Sequence, residues 1–324
     1  MHIFITGIAG AIGSHVAEAF RAEGHEVTGI DNLDNYYSAA IKELTLSDVA
    51  SRGVNVVRED LVTSDLTEHI PEETEFIFHF AAQPGISAET PFDHYIRNNI
   101  KATERLLHRA GTLPKLKALV YISTSSVYGK SARGGEDDVP RPTSGYGVTK
   151  LASEQLALSH HRSFGLPVIA LRLFSVFGPR ERPEKLYHKL THAILTNAPF
   201  PLHEGALAHV RSFTYVGDVV RGMTQVLEQY KNAIGEVVNI GSNITHTTED
   251  GIRAIEAILG QRADIVVVHR RPGDQFETEA VIGKAKRLFG FATKTSLEDG
   301  LAEQIRWHKE HLLPHLGTVY DGDA

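Results

Sequence analysis

The residues Ile3-Phe4-Ile5-Thr6-Gly7-Ile8-Ala9-Gly10-Ala11-Ile12-Gly13 constrain this chain more than any other stretch. The apolar, β-branched run predicts a buried strand. Three glycines at three-residue spacing follow, and residues 14–21 read as a helix. Each glycine has a physical task. One permits a tight turn, one lets a phosphate approach the backbone, and one lets helix and strand pack closely. The N–H groups at the helix start, around Gly7, Gly10, Ala11, Ile12 and Gly13, would then face a diphosphate, helped by the helix dipole. A second apolar strand, residues 27–30, ends in Asp31, about 20 residues downstream, where an acid binds ribose hydroxyls. An acid there repels a 2′-phosphate, so the pattern favours NAD over NADP as cofactor.

Along the chain, short apolar runs alternate with helical patterns. Residues 54–57, 76–80, 119–122 and 168–171 read as further strands, and 98–109 and 146–164 as helices. The polar stretch 32–52 predicts a loop and a helix beside the adenosine. Strand–helix alternation implies right-handed crossovers and an α/β fold, a doubly wound parallel sheet of the Rossmann type. Ligands sit beyond the carboxyl ends of such strands, where Asp31, Asn32, Asp60, Leu61, Ala81, Ala82, Gln83 and Ser123 to Ser126 all fall. Beyond Leu173 the pattern changes. Residues 186–196, 216–230, 248–259 and 301–311 read as helices, and 211–215, 237–240 and 265–268 as strands. The expected division is a dinucleotide-binding domain over 1–173, rejoined by about 216–240. A smaller C-terminal α/β substrate-binding lobe would take 174–215 and 241–313, with 314–324 a poorly ordered tail.

Composition narrows the class. A hydrophobic share of 42% and a charged share of 23% over 324 residues suit a globular protein. No run is long and apolar enough for a membrane span, and a core strand follows Met1 directly, so no leader is expected. The chain has no cysteine, which excludes disulfides and thiolate metal sites. Together these favour the cytoplasm. A net charge of -7 argues against nucleic acid or an anionic membrane as partner. The 18 histidines show no metal-ligand spacing, so no metal is expected. His160, His161, His308 and His311 read as surface residues.

The stretch Tyr146-Gly147-Val148-Thr149-Lys150 carries chemistry. Residues four apart share one helix face, which would set the phenol beside the ammonium. A free tyrosine has a pKa near ~10. A neighbouring cation lowers it, and the phenol then serves as general base near neutral pH. The hydroxyl cluster Ser123-Thr124-Ser125-Ser126 lies at the preceding strand end.

These motifs together resemble the extended short-chain dehydrogenase/reductase superfamily over nearly the whole chain. They include the glycine turn, Asp31, Asp60, Ala81-Ala82, Asn98-Asn99, Ser123 to Gly129, Tyr146 with Lys150, Gly178-Pro179-Arg180 and Arg271-Pro272-Gly273-Asp274. The resemblance implies Tyr146 as catalytic base assisted by Thr124. It makes Gly7, Gly10, Gly13, Asp31, Asp60, Asn99 and Lys150 cofactor-binding. Within the superfamily the chain is most similar to nucleotide-sugar epimerases, specifically UDP-glucuronate 4-epimerases. Ser126 occupies the slot where 4,6-dehydratases and UDP-glucuronate decarboxylases place an acid, and Ser175 replaces the Asn usual in UDP-galactose 4-epimerases. The implied reaction is hydride abstraction at C4, rotation of the 4-keto sugar about its diphosphate, and hydride return to the other face, with NAD unchanged overall.

The same resemblance implies substrate contacts from Pro84, Gly85, Thr124, Ser125, Ser126, Tyr146, Ser175, Arg182, Lys189, Arg211, Arg271 and Asp274. Arginine forks suit phosphate oxygens. A homodimer through the helices at 98–109 and 146–164 is also implied. One departure is Ser87, which stands where many related epimerases carry Arg. Three other readings stay open: UDP-glucose 4-epimerase or UDP-glucuronate decarboxylase on the same scaffold, a net dehydrogenase, and a non-catalytic NAD-binding regulator.

Overall fold

Strands that are apolar at every position belong in a sheet covered on both faces. The computed structural model, which describes residues 1–85, 90–269 and 276–315, has such a sheet at its centre. Its seven parallel strands are β1 (His2–Thr6), β2 (Glu26–Asp31), β3 (Asn55–Arg58), β4 (Phe76–His79), β5 (Ala118–Thr124), β6 (Val168–Leu173) and β7 (Val237–Ile240), ordered β7-β6-β5-β4-β1-β2-β3. The longer helices are α1 (Ala11–Ala22), α2 (Ala39–Ser51), α3 (Ala102–Ala110), α4 (Gly145–Phe164), α5 (Leu186–Thr196), α6 (Val216–Gln229), α7 (Thr248–Leu259), α8 (Gly283–Phe289) and α9 (Leu297–Trp307).

Alternate residues of each strand feed opposite layers. Ile3, Ile5, Phe76, Phe78 and Val120 pack with Val16 and Phe20 of α1 and Val219 and Met223 of α6. Phe4, Ile77, Leu119 and Tyr121 pack with Leu106 and Leu107 of α3 and Ala157 and Leu158 of α4. Phe20 and Phe78 meet as tilted rings 5.0 Å apart, a contact worth about 0.5–1.5 kcal/mol beyond its area. A third apolar cluster joins Tyr187, Leu190 and Ile194 of α5 to Ile252 and Ile255 of α7 and Leu301 and Ile305 of α9. β1 lies between β4 and β2, so the strand order reverses there and opens a crevice beyond the carboxyl ends.

The structure bears out the α/β fold class and the return of residues 237–240 to the main sheet beside β6. Other expectations need correction. The 211–215 strand is two pieces in different sheets, Val210–Arg211 and Thr214–Tyr215. Between them Ser212 donates its N–H to Thr278 Oγ1 (3.0 Å) and its hydroxyl to the Ser242 carbonyl, which breaks the ladder. The helix expected from residue 98 begins as a wide π turn, Ile96–Lys101, before α3. The Asn99 carbonyl there accepts from the hydroxyls of Thr103 (2.5 Å) and Ser153 (2.8 Å). The strand Phe200–His203, paired with Ile265–Val268, was not foreseen. Residues 316–324 of the expected tail lie outside the described residues.

His308 is buried, not a surface residue. It stacks edge-on with His188 at 4.9 Å and lies beside His192 at 5.5 Å. His79, equally buried, bridges Thr6 Oγ1 (2.7 Å) and Thr103 Oγ1 (2.9 Å), tying β1 and β4 to α3. Burial, the largest cause in each case, pulls His15, His79, His188 and His308 from the ordinary 6.5 down to about 4, 3, 4 and 2. The unfolded chain takes up protons below about pH 6.5 that the folded chain refuses, so stability is present above that pH and lost as pH falls toward these values. The melting temperature is expected to drop steadily as pH is lowered below about 6.5. His79→Asn should start lower but show a shallower slope in a pH series of thermal melts.

Candidate active site

The glycine turn forms because β1 ends where no side chain fits. Gly7 has φ +75, and a Cβ on it would stand 2.8 Å from the Ala81 nitrogen. A Cβ on Gly13 would stand 2.4 Å from the Gly7 carbonyl. Helix α1 therefore starts flush against the β1 turn. Its N-cap Gly10 offers no side-chain cap, and its first turn holds no acid. The amide groups of Ala11, Ile12 and Gly13 thus form a helix start with no side-chain cap from Gly10 and no first-turn acid to answer its partial positive charge.

Asp31 lies across the turn. Its carboxylate accepts from the N–H groups of Ala9 (3.0 Å) and Leu33 (2.9 Å). Burial raises its pKa, while those two bonds and the Lys42 cation pull it back. Asn32 donates to Asp60 (2.9 Å), which also accepts from the Val62 N–H (2.7 Å) and Arg97 (2.9 Å). Burial pushes Asp60 up, but these donors outweigh it and hold the carboxyl below its usual range. The Leu61 carbonyl, on the same loop, is taken by Arg105 (3.0 Å).

At the end of β4, the Ala81 N–H donates to Thr6 Oγ1 (3.1 Å) and the Gln83 N–H to Asn99 Oδ1 (2.6 Å). Asn99 donates in turn to the Thr149 hydroxyl (2.9 Å). Its buried amide thus fixes the Ala81–Ala82–Gln83 backbone against α4. The next residues, Pro84 and Gly85, continue along the crevice. Gly85 has φ +88; its carbonyl accepts from the Tyr95 hydroxyl (2.8 Å), and a Cβ on it would meet the Tyr36 hydroxyl at 2.4 Å. Ile86 and Ser87 lie outside the described residues.

Beyond β5, Ser125–Tyr128 makes one 3₁₀ turn capped by Thr124, whose Oγ1 accepts from the Ser126 N–H (3.2 Å). Helix α4 begins at a Ser144 cap and presses onto this turn: a Cβ on Gly147 would stand 2.7 Å from the Ser126 carbonyl. The result brings Tyr146 to Thr124, with a hydrogen bond between their side chains. Burial raises the phenol pKa; the Arg182 cation and the Thr124 bond lower it. Here the geometry corrects the expectation. Lys150 turns inward, donating to the Ile122 carbonyl (2.6 Å) with its ammonium 4.4 Å from the Tyr121 ring centre. The protein cation whose field reaches the phenol is Arg182. Burial depresses Lys150 to about 7, opposed by Glu154.

Glu154 itself is fully buried and binds Arg172 through two bonds of 2.9 and 2.6 Å. It also accepts from Ser123 (2.6 Å), so the Ser123 hydroxyl supports α4. Arg172 continues to the Tyr128 hydroxyl (2.9 Å), which donates to Asn239 (2.8 Å). This network locks β5, α4, β6 and β7 beneath Tyr146.

On the opposite wall, Ser175 follows β6 and its carbonyl accepts from the Thr214 N–H (3.1 Å). Arg182 pairs with Glu184 (2.6 Å) and lies over the Tyr36 ring at 5.9 Å. Lys189 is exposed on α5, whereas Lys185, one turn earlier, lies in the field of Glu181, Arg182, Glu184 and Arg211. Arg211 sits on the short strand Val210–Arg211 facing His246. Arg271 and Asp274 lie outside the described residues. The sequence placed Tyr36 only in the polar stretch expected beside the adenosine, and Tyr95, Glu184 and Lys185 carry no motif that would single them out.

A doubly wound sheet with this glycine turn and this Tyr–Thr pair at neighbouring strand ends defines a short-chain dehydrogenase/reductase. More narrowly, the chain belongs to the NAD dependent epimerase/dehydratase family, which it matches over residues 3–241. It is 36% identical to the uncharacterized UDP-glucose epimerase YtcB of Bacillus subtilis (strain 168) over the full length of both chains. It is 32% identical to UDP-glucuronate 4-epimerase 1 of Arabidopsis thaliana, covering 94% of this chain and 76% of that one. Among solved structures, the UDP-glucuronic acid 4-epimerase of Bacillus cereus in complex with UDP-glucuronic acid and NAD superposes with a TM-score of 0.90 at 37% identity, over 95% of this chain and 99% of that one.

Removing one partner of the buried Glu154–Arg172 pair strands the other charge. Glu154→Gln is expected to cost about 3–5 kcal/mol in urea unfolding, whereas Glu154→Asp, which keeps the charge, should cost less.

Proposed function

We propose that this protein is an NAD-dependent isomerase that interconverts UDP-glucuronate and UDP-galacturonate at C4. The observation that carries the reading is the Tyr146–Thr124 pair at the end of β5, facing Arg182. The residues fit the cofactor. The uncapped start of α1 suits a diphosphate, the space a Gly13 Cβ would fill is backbone, and Asp31 stands at the ribose position. NAD, when bound, would supply the hydride acceptor and donor.

This chain's residues do the rest. Tyr146 takes the proton of the sugar 4-hydroxyl and returns it, so one group serves both directions. Thr124 holds the phenol oxygen. Ser126 offers no carboxylic acid for the further proton transfers that elimination or decarboxylation requires. Arg182 and Ser175 hold the sugar carboxylate, and Lys185, Lys189, Arg211 and Arg271 serve the diphosphate. In this reading the sheet and its helices form the cofactor domain, and the cluster of α5, α7 and α9 forms the substrate lobe. A homodimer fits the exposed apolar residues Phe92, Ile96, Val148 and Phe164, which all lie on the helical stretches around α3 and α4. A cysteine-free chain that uses NAD and a UDP-sugar fits the cytoplasm. One observation favours a second reading: the full-length likeness to a protein named as a UDP-glucose epimerase.

Incubating the protein with UDP-glucuronate should yield UDP-galacturonate without accumulation of reduced nicotinamide. Faster turnover of UDP-glucose would favour the second reading. Tyr146→Phe should lower kcat by about 10²–10⁴-fold with the fold intact. Ser175→Ala should raise the fraction of pentose product resolved by chromatography, because the carboxylate is held less firmly. An unchanged ratio would remove Ser175 from that role.

A further inference from the structure

Arg182 and Glu184 form an unusual pair. Their charged atoms stand 2.6 Å apart, and the side chains are only 21% and 33% exposed. The Nη1 atom of Arg182 and both carboxylate oxygens of Glu184 are shut off from solvent, yet none has an aligned hydrogen bond among the described residues. Close ions that lack hydrogen-bond alignment recover little of their desolvation cost. Such a pair gives way readily to a better partner. A guanidinium fork prefers a carboxylate presented edge-on to both of its arms.

The surroundings favour exchange at this point. Tyr36, Tyr37 and Tyr146 all lie within the field of Arg182, and Lys185 lies in the field of both Arg182 and Glu184. Lys42 of α2 feels the same two charges, and Glu181 is buried next to them. A second carboxylate brought to Arg182 would be repelled by Glu184 unless Glu184 moved aside. Lys185 offers Glu184 another cation when it does.

We propose that Glu184 is a stand-in counter-ion that occupies Arg182 until the substrate's own carboxylate displaces it, so that only a sugar carrying an acid at that position can complete the site. This rests on the uronate reading above. A neutral hexose has no group able to replace Glu184 and leaves the internal pair in place. The exchange conserves charge around Tyr146, because one carboxylate faces Arg182 before and after it. Glu184 thus selects substrate without altering the base.

The test uses the NAD-loaded protein and compares equilibrium binding of UDP-glucuronate with that of UDP. Glu184→Gln removes the competitor and is expected to tighten UDP-glucuronate by about fivefold, the scale of one partly exposed ion pair, with UDP unchanged. Glu184→Asp keeps the charge and should retain the parent ratio. A second readout follows from the charge argument. Glu184→Gln bares Arg182, which favours the phenolate. The acid limb of the kcat profile with a neutral UDP-hexose should therefore move to lower pH, while that for UDP-glucuronate, whose own carboxylate faces Arg182 in the complex, stays. Weaker or unchanged UDP-glucuronate binding in Glu184→Gln would overturn the proposal, since Glu184 would then align Arg182 or stand idle. Failure of the parent protein to form galacturonate would sink the uronate reading instead, and the binding ratio would still decide the role of Glu184.

Discussion

The site depends on how closely the β1 turn lies against the end of β4. Backbone meets backbone there, with no room for a Cβ on Gly7, and α1 presses on the same turn with no room for one on Gly13. That contact sets the start of α1 directly over the point where the strand order reverses. The Thr6 hydroxyl completes it by accepting from the Ala81 N–H while engaging His79. The helix dipole, Asp31 and the loop of Ala81 to Gln83 then share one rim of the sheet. Any side chain inserted in the turn would move all three together, so the glycine spacing is a constraint on packing before it is one on ligands.

Charge is distributed around the crevice in pairs of graded quality. Arg172 has a fully bonded partner in Glu154 and belongs to the frame. Arg180 adopts φ +63, a conformation that costs a non-glycine residue about 1–2 kcal/mol. It is held there by Glu18 of α1 (2.7 Å) and Asp48 of α2 (3.2 Å). This strained residue pins the loop after β6 to the helices flanking the glycine turn. Arg182, two residues on, is thereby carried to the phenol of Tyr146. Its own partner is the poorly aligned Glu184. Rigid pairs therefore build the support, and the loose pair is left at the place where a substrate acid would arrive. Strain at Arg180 is consistent with local backbone cost being concentrated near a functional site.

Much of this was legible in the sequence because it rests on local rules. Apolar runs of four to seven residues became strands, and helices 186–196 and 248–259 emerged at the expected bounds. The glycine turn and Asp31 were readable from spacing and strand ends, and the pairing of Tyr146 with Thr124 only from the resemblance. What escaped depends on side-chain direction and on distant packing. Residues 146 and 150 share a helix face, yet Lys150 bends under the sheet to Ile122 because β5 presents a carbonyl there. Spacing gives no hint of that choice. His308 looked like a surface residue of a C-terminal helix, but α9 folds onto α5 and buries it beside His188. Glu184 escaped because an acid in a proline-bounded loop carries no motif. Its meaning comes only from the cation it meets.

On the proposed reading, the choice among reactions follows from how few proton carriers would serve the sugar. With Lys150 bonded to the Ile122 carbonyl and a serine at position 126, Tyr146 and Thr124 would form the hydroxyl relay. A proton removed from the 4-hydroxyl has one group to wait on and returns from that group. Such a relay supports oxidation and its reversal, and supplies no second acid for elimination. A 4-keto uronate would still be prone to lose carbon dioxide, because the bond to its carboxylate can align with the carbonyl π system. A guanidinium bound to that carboxylate opposes the loss twice. It stabilises the charge that decarboxylation would disperse, and it fixes the rotation about the bond that must break. On the proposed reaction, Arg182 therefore protects the intermediate as well as recognising the substrate, and its exchangeable partner lets it do both at one site.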